Sequence, residues 1–454
     1  MPYISKNPYT EEILANFDDL SPDALEQKLA IAQDTFFLWR ETTFAHRAER
    51  MKRLANILRE RKHALGKLAA TEMGKTLAQA IAEVEKCASV CDYYANTAAT
   101  ILQEEIIASD ASASYVRFDP LGIILAVMPW NFPFWQVFRF AAPAVMAGNV
   151  GVLKHASNVP QCAQALEDLF RDAGFPEGVF QNLFLPSTRV ADLIADDRIM
   201  AVTLTGSEAA GIKVAEAAGR ALKKTVLELG GSDPFIILDD AKLDEAVATA
   251  VNARLQNNGQ SCIAAKRFIV VRSIAEQFTN LFKDKFEKMV VGDPLDEKTN
   301  VGPLVSAAAR LEIDKQVATS LTAGATLVTG GKYVGDRGYF YAPTILANVR
   351  PGMPAYHEEI FGPVAAVIVV GDADEAIRVA NDTKFGLGAS LWTQDMALAK
   401  SLASRLDAGA VFINGLVKSD PRLPFGGSKK SGYGRELSHY GIKEFVNIKT
   451  VWVK

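Results

Sequence analysis

The sequence predicts an α/β protein made of two doubly wound α/β domains, with a β-ribbon set apart from both. Three observations predict it. At 454 residues the chain exceeds one ordinary hydrophobic core. From Pro120 onward, short β-branched or apolar runs alternate with segments of helical length, as βαβ units around a parallel sheet do. Two stretches far apart in sequence, SASYVRF (112–118) and KEFVNIKTVWVK (443–454), read as strands outside either alternation.

From Ser21 to about Gln103 apolar residues recur at three and four spacing, in DALEQKLAIAQDTFFLWR and then AHRAERMKRLANILRERKHALGKLAATEMGK, so this region is helical. Cys87 and Cys91 fall one helical turn apart in it, which suits packing. The first α/β series has strands at GIILAVM, GNVGVLKH, VFQNLFL, MAVTLTG and TVLELGG. The second has PFIIL, KRFIVV, AAVIVV and AVFING, with helices at DEAVATAVNARLQ, IAEQFTNLFKDKFEKM and DEAIRVAND. The boundary falls near Gly230-Gly231. The expected domains are 1–110 with 121–229, then 230–436. The ribbon takes 111–120 and 437–454, and its open edges are suited to pairing with another chain.

The net charge is −4 and no run of like charges occurs, which argues against a nucleic-acid groove or an anionic membrane surface. The four cysteines have neither disulfide-framework nor zinc spacing, and the five histidines lack HxH or HxxxH, so no metal site is expected. A reducing cytoplasm is the expected location. The start, MPYISKNPYTEEIL, has no signal-peptide pattern, and no segment approaches the roughly 20 apolar residues of a membrane span.

Chemistry concentrates at LQNNGQSCIAAKR (255–267). Its polar, Gly-containing approach is unlike a core strand, and the small exit reads as the start of a helix. Cys262 is thus expected as a nucleophile whose thiolate is favoured by free backbone N–H groups. Glu228 ends the apolar strand of TVLELGG, where partial burial would raise its pKa and fit it as a general base for water. In PWNFP, Asn131 is the one strong side-chain donor, as an oxyanion requires. No GxGxxG follows a strand, yet VTLTGSEAAG runs a strand into a helix through Gly206 and Ser207, a setting suited to a phosphate.

PWNFP, VLKHAS, TGS, ELGG, NNGQSC, EEIFGPV and PFGGSKKSGYGRE together resemble, in order and spacing, the aldehyde dehydrogenase superfamily, over essentially the whole chain. Within it the sequence looks like the shorter bacterial succinate-semialdehyde dehydrogenases. The resemblance implies an aldehyde dehydrogenase-like fold, in which a Rossmann-like cofactor domain, a catalytic domain and an oligomerisation ribbon form a homodimer or homotetramer. It implies that Cys262 attacks the aldehyde, that the Asn131 amide and the Cys262 N–H hold the oxyanion, and that Glu228 activates the hydrolytic water.

For the cofactor it implies Lys154 and Ser157 at the adenosine ribose and Gly206 and Ser207 at the pyrophosphate. Glu359 and Phe361 would meet the nicotinamide side, with Pro129, Trp130 and Leu229 adjoining. Ser157 stands where many NAD-preferring relatives carry glutamate, which would repel a 2′-phosphate, so NADP is the expected cofactor and NAD the alternative. For the substrate it implies Arg139 and Ser419 at a distal carboxylate, with Trp135 and Gln256 lining the tunnel. Gln256 lies in the stretch where other succinate-semialdehyde dehydrogenases carry a second arginine, so glutarate semialdehyde or neutral short aldehydes are the alternative substrates. A thiol hydrolase would instead need a histidine beside Cys262, and only His155 and His357 lie near these motifs.

Overall fold

In the computed structural model, which describes residues 3–454, two mainly parallel sheets, each with one antiparallel edge strand, carry the chain between layers of helices. A short antiparallel pair, β1 (Tyr3–Lys6) and β2 (Ile13–Phe17), precedes four helices, α1 (Pro22–Trp39), α2 (Phe44–Glu60), α3 (Lys62–Met73) and α4 (Leu77–Ile101). Ser21 and Thr43 start the first two: their hydroxyls accept from the N–H of Ala24 at 3.1 Å and of His46 at 3.2 Å, satisfying donors that a helix start leaves open. Cys87 and Cys91 are fully buried on α4.

β3 (Glu105–Ile106) and β4 (Ala113–Pro120) lead into the first sheet. It comprises β5 (Ile123–Met128), α5 (Trp135–Ala147), β6 (Val150–His155), α6 (Pro160–Asp172), β7 (Phe180–Asn182), α7 (Val190–Ala195), β8 (Ile199–Thr205), α8 (Glu208–Arg220) and β9 (Lys224–Glu228). VFQNLFL yields only the three-residue β7 at the sheet edge, where it pairs with β6 alone. Every residue of α5 is buried, as its nearly continuous apolar sequence requires, because it packs beneath α4 and α2.

The second sheet takes β10 (Asp233–Ile237), α9 (Leu243–Leu255), β11 (Ala265–Val271), α10 (Arg272–Phe286), α11 (Ala307–Thr322), β12 (Thr326–Thr329), β13 (Thr344–Ala347), α12 (Pro354–His357), β14 (Val364–Val370), α13 (Ala373–Asn381), β15 (Gly388–Trp392), α14 (Met396–Ala403) and β16 (Ala410–Ile413). Its strand order is β12-β13-β14-β11-β10-β15-β16. Alternate residues feed opposite layers: Ile236 and Ile269 enter one core, while Phe235, Ile237, Phe268 and Val270 enter the other.

The chain then returns through β17 (Gly432–Tyr433), which pairs antiparallel with β9 and completes the order β17-β9-β8-β5-β6-β7. A late segment thus seals the edge beside Glu228. Gly432 has φ 114°, and a Cβ there would lie 1.9 Å from the Leu227 carbonyl oxygen, so only glycine permits this approach. After α15 (Ser438–Ile442), β18 (Val446–Val453) pairs antiparallel with β4, and β3 flanks β4 on its other side. The two predicted ribbon strands therefore pair with each other, leaving an outer edge that exposes Ile448, Trp452 and Val453.

Candidate active site

Cys262 lies where the two sheets meet, on the wall of a cavity of about 230 Å³. Trp135, Arg139, Gln256 and Ser419 line the same cavity, so one space gathers the predicted nucleophile and every predicted substrate residue.

The segment that presents Cys262 differs from the sequence expectation in two respects. No helix begins there: the chain leaves the cysteine through a turn and enters β11, which is held between β10 and β14. Pairing on both sides outweighs the helical propensity of the small residues. And the polar approach, unlike a core strand in sequence, is nonetheless inside the protein: Asn257, Asn258, Gln260 and Ser261 are all buried. Asn257 and Asn258 adopt positive φ (55° and 57°), which asparagine tolerates better than most residues. Gly259 follows at φ 75°, where a Cβ would lie 2.3 Å from Gly362. The Asn258 amide donates to the carbonyls of Gly74 (2.8 Å) and Pro303 (3.0 Å), and its oxygen accepts from Gly302 N–H (2.8 Å). These polar residues form a buried scaffold that fixes the nucleophile.

Without a helix terminus, burial prevails over the nearby Arg139 and Lys266 charges, and the thiol is pushed up to about 12. Burial thus favours the neutral thiol over the thiolate at rest. The expectation of a thiolate stabilised by a helix N-terminus is thereby corrected.

Asn131 reaches this loop. Its Nδ2 donates to Gln260 O at 3.1 Å, while Asn257 Nδ2 donates to Asn131 O at 2.7 Å and Gln260 O at 2.9 Å. An amide nitrogen carries two hydrogens, so one orients the group and the other stays available. The Cys262 N–H makes no hydrogen bond among the described residues, so a second donor is free beside the sulfur.

Glu228, at the end of β9, is buried, and its carboxyl is raised well above the usual range by burial. Arg139 opposes that shift and Glu436 reinforces it. The Arg139 guanidinium contacts the Glu436 carboxylate, donates to Thr205 Oγ1 at 3.2 Å and stacks 4.5 Å from the centre of the Phe425 ring. Arg139 therefore borders the substrate cavity with its charge already engaged. Glu436 and Phe425 were missed as individual residues, although the motif PFGGSKKSGYGRE contains both. Lys86, also on the cavity wall, had no sequence signal at all.

Most of the predicted cofactor residues lie at or just beyond the carboxyl ends of β5, β6, β8 and β9 in the first sheet, while Glu359 and Phe361 come from the segment between α12 and β14. Ser207 caps α8 by accepting from Ala210 N–H at 3.3 Å, and a cavity of about 750 Å³ opens between α7 and α8, lined by Val127, Leu204, Ala210 and Lys213. Lys154, the penultimate residue of β6, is largely buried and feels the charge of Asp19, and Ser157 lies exposed just beyond the strand. A buried cation followed by an exposed hydroxyl at the end of β6, and a capped helix N-terminus after β8 in the same sheet, fit a phosphorylated dinucleotide. Glu359 accepts from Gly231 N–H at 3.0 Å and lies 3.4 Å from Lys266 Nζ. A Cβ on Gly230 would lie 2.3 Å from Glu359 Oε2, so ELGG leaves the space this carboxylate occupies. Trp130 and Phe361 meet edge to face at 5.8 Å, with Pro129 next to them, and Leu229 packs against Gly211 of α8.

His155 is hydrogen-bonded to Pro133 O (2.9 Å) and Ala156 N–H (2.8 Å), and burial lowers its pKa to about 4. His357 accepts from Gly352 N–H at 2.9 Å. Neither is placed to serve Cys262, which removes the thiol-hydrolase alternative.

Comparison with known proteins identifies the family and the fold. The profile of the aldehyde dehydrogenase family matches residues 2–451. A Synechocystis protein named probable succinate-semialdehyde dehydrogenase (NADP+) is 54% identical over 447 residues, covering 98% of each chain. A Mycobacterium bovis protein named succinate-semialdehyde dehydrogenase (NADP+) 1 is 50% identical over 456 residues, covering 100% of both. The crystal structure of succinic semialdehyde dehydrogenase from Streptococcus pyogenes, in complex with NADP+, superposes with a TM-score of 0.98 at 41% identity over 99% of both chains. The chain belongs to the aldehyde dehydrogenase family.

Proposed function

We propose that this protein is an NADP-preferring succinate-semialdehyde dehydrogenase that oxidises succinate semialdehyde to succinate through a thioester on Cys262. The observation that carries the reading is the single cavity joining Cys262 to Trp135, Arg139, Gln256 and Ser419, which sets a nucleophile at one end and polar, cationic groups beyond it. The names of the relatives support the same substrate and cofactor.

Cys262 Sγ attacks the aldehyde carbon, and the carbonyl electron pair moves to oxygen, where the free Asn131 N–H and the Cys262 N–H meet it. Such donors matter most where charge develops in the transition state. Because the thiol is neutral at rest, its proton must leave as the S–C bond forms, and Glu228 or a water is the acceptor. When bound, NADP+ would supply a cationic hydride acceptor, so that loss of hydride from the thiohemiacetal carbon leaves a thioester on Cys262. Glu228 then removes a proton from water, the hydroxide adds to the thioester carbon, and the thiolate departs. Lys154, Ser157, Gly206, Ser207, Glu359 and Phe361 would hold the cofactor, with Pro129, Trp130 and Leu229 walling it.

Residues 1–110 and 121–229 form the cofactor domain in this reading, 230–436 the catalytic domain, and 111–120 with 437–454 the ribbon. The exposed apolar edge of β18 supports a homodimer or homotetramer. The four free cysteines suit a reducing cytoplasm. The test is the initial rate of reduced-cofactor formation with succinate semialdehyde. Turnover with NADP well above NAD, abolished in Cys262→Ala, is expected. Turnover of uncharged aldehydes only, or a clear preference for NAD, would overturn the corresponding half of the proposal.

A further inference from the structure

Three cations line the substrate cavity: Lys418 is exposed, and of the two less exposed ones, Arg139 and Lys86, the protein's own carboxylates occupy only one. Arg139 is held by Glu436. Lys86, from α4, has no carboxylate within ion-pair distance among the described residues. Its Nζ instead donates to Ser419 Oγ at 2.6 Å and lies 4.2 Å from the centre of the Trp135 ring. We propose that Lys86, with the Ser419 hydroxyl, is the direct binding pair for the substrate's distal carboxylate, and so sets the preference for short aldehydes ending in a carboxylate.

This rests on the succinate-semialdehyde reading and names the contact that would enforce it. A hydroxyl that accepts from an ammonium keeps its own hydrogen to donate, so Lys86 and Ser419 together offer a charge-assisted donor and a second donor to one carboxylate. The Trp135 face holds the ammonium by cation–π attraction, without cancelling its charge. Burial lowers the Lys86 amine to about 8, with the nearby Arg139 charge adding to the effect and Cys87, Glu83 and Asp420 opposing it. A bound carboxylate would relieve that cost. Arg139, contacting Glu436 and interacting with Glu228, contributes its field from the cavity wall. The arrangement draws on three separate parts of the chain: α4, α5 and the loop after β16 that carries Ser419.

The experiment compares kcat/KM for succinate semialdehyde with that for butanal, the same chain without the carboxylate, in wild type, Lys86→Met and Lys86→Arg. Methionine keeps the packing against Trp135 and removes the charge. The expected result is a preference for succinate semialdehyde in the wild type. That ratio should fall about tenfold to a hundredfold in Lys86→Met, through KM, which is the usual worth of a charge-assisted hydrogen bond. Lys86→Arg should retain most of it. A wild-type preference that Lys86→Met leaves within twofold, or an equal loss on both aldehydes, would overturn the Lys86 assignment while sparing the proposed function. A wild type without any preference would overturn both.

Discussion

The resting state of Cys262 can be tested without any substrate. Burial raises the thiol from an ordinary 9.0 to about 12, a difference of three powers of ten in thiolate. At pH 8 an ordinary thiol is roughly one-tenth ionised, whereas Cys262 would be ionised in roughly one molecule in ten thousand. Alkylation follows the thiolate, so iodoacetamide should label Cys262 in the cofactor-free protein about a thousandfold more slowly than a free cysteine. The rate should still climb at pH 10. Peptide mass analysis isolates the Cys262 signal, because Cys87, Cys91 and Cys162 are also free, although fully buried. A pH midpoint at or below 9, or labelling at pH 8 close to that of a free thiol, would refute the reasoning and imply an anion-stabilising environment that the turn before β11 does not provide.

Three further outcomes follow from the same geometry. Glu436→Gln removes the carboxylate that raises Glu228 and leaves Arg139, which lowers it. The base form of a raised carboxyl grows as pH rises, so the alkaline-going limb of thioester hydrolysis should move to lower pH in this variant. An unchanged or more alkaline limb in a steady-state pH profile would contradict it. Asn131→Ala should cut kcat by about a hundredfold to a thousandfold, equivalent to about 3 to 4 kcal/mol of barrier, with a smaller change in KM. A loss under tenfold would remove Asn131 from the oxyanion site. Ser157→Glu places a carboxylate at an exposed position close behind Lys154, and should lower the NADP-to-NAD ratio of kcat/KM by at least about tenfold. A ratio that does not move would separate cofactor choice from this residue.

The legible parts of the sequence were those governed by local pattern. The alternation after Pro120 showed β5 to β9 of the first sheet and β10, β11, β14 and β16 of the second to within a few residues, because strands buried on both faces read as continuous apolar runs, whereas β12, β13, β15 and the two-residue β17 were not read. TGS announced its helix cap because the cap is made by adjacent residues. What depended on distant pairing was not readable. IAAKR reads as helical until β10 and β14 are known to flank it. Asn-Asn-Gly-Gln-Ser reads as solvated until Gly74, Gly302 and Pro303 arrive to satisfy Asn258. Arg139 reads as lacking a partner because Glu436 comes from the far end of the chain. Lys86 sits beside Glu85 on an amphipathic helix and looks like any solvated lysine; only the packing of α4 on α5 brings it over Trp135.

The most direct test of the central claim is to trap the covalent intermediate. The protein is mixed with NADP and succinate semialdehyde, quenched in acid within the first turnover, and digested for mass analysis, using Glu228→Gln to slow hydrolysis. The account predicts a succinyl group on the peptide containing Cys262, accumulating in step with one equivalent of NADPH and absent when NADP is omitted. Formation of NADPH with no acyl group at Cys262, or an acyl group on another residue, would contradict it.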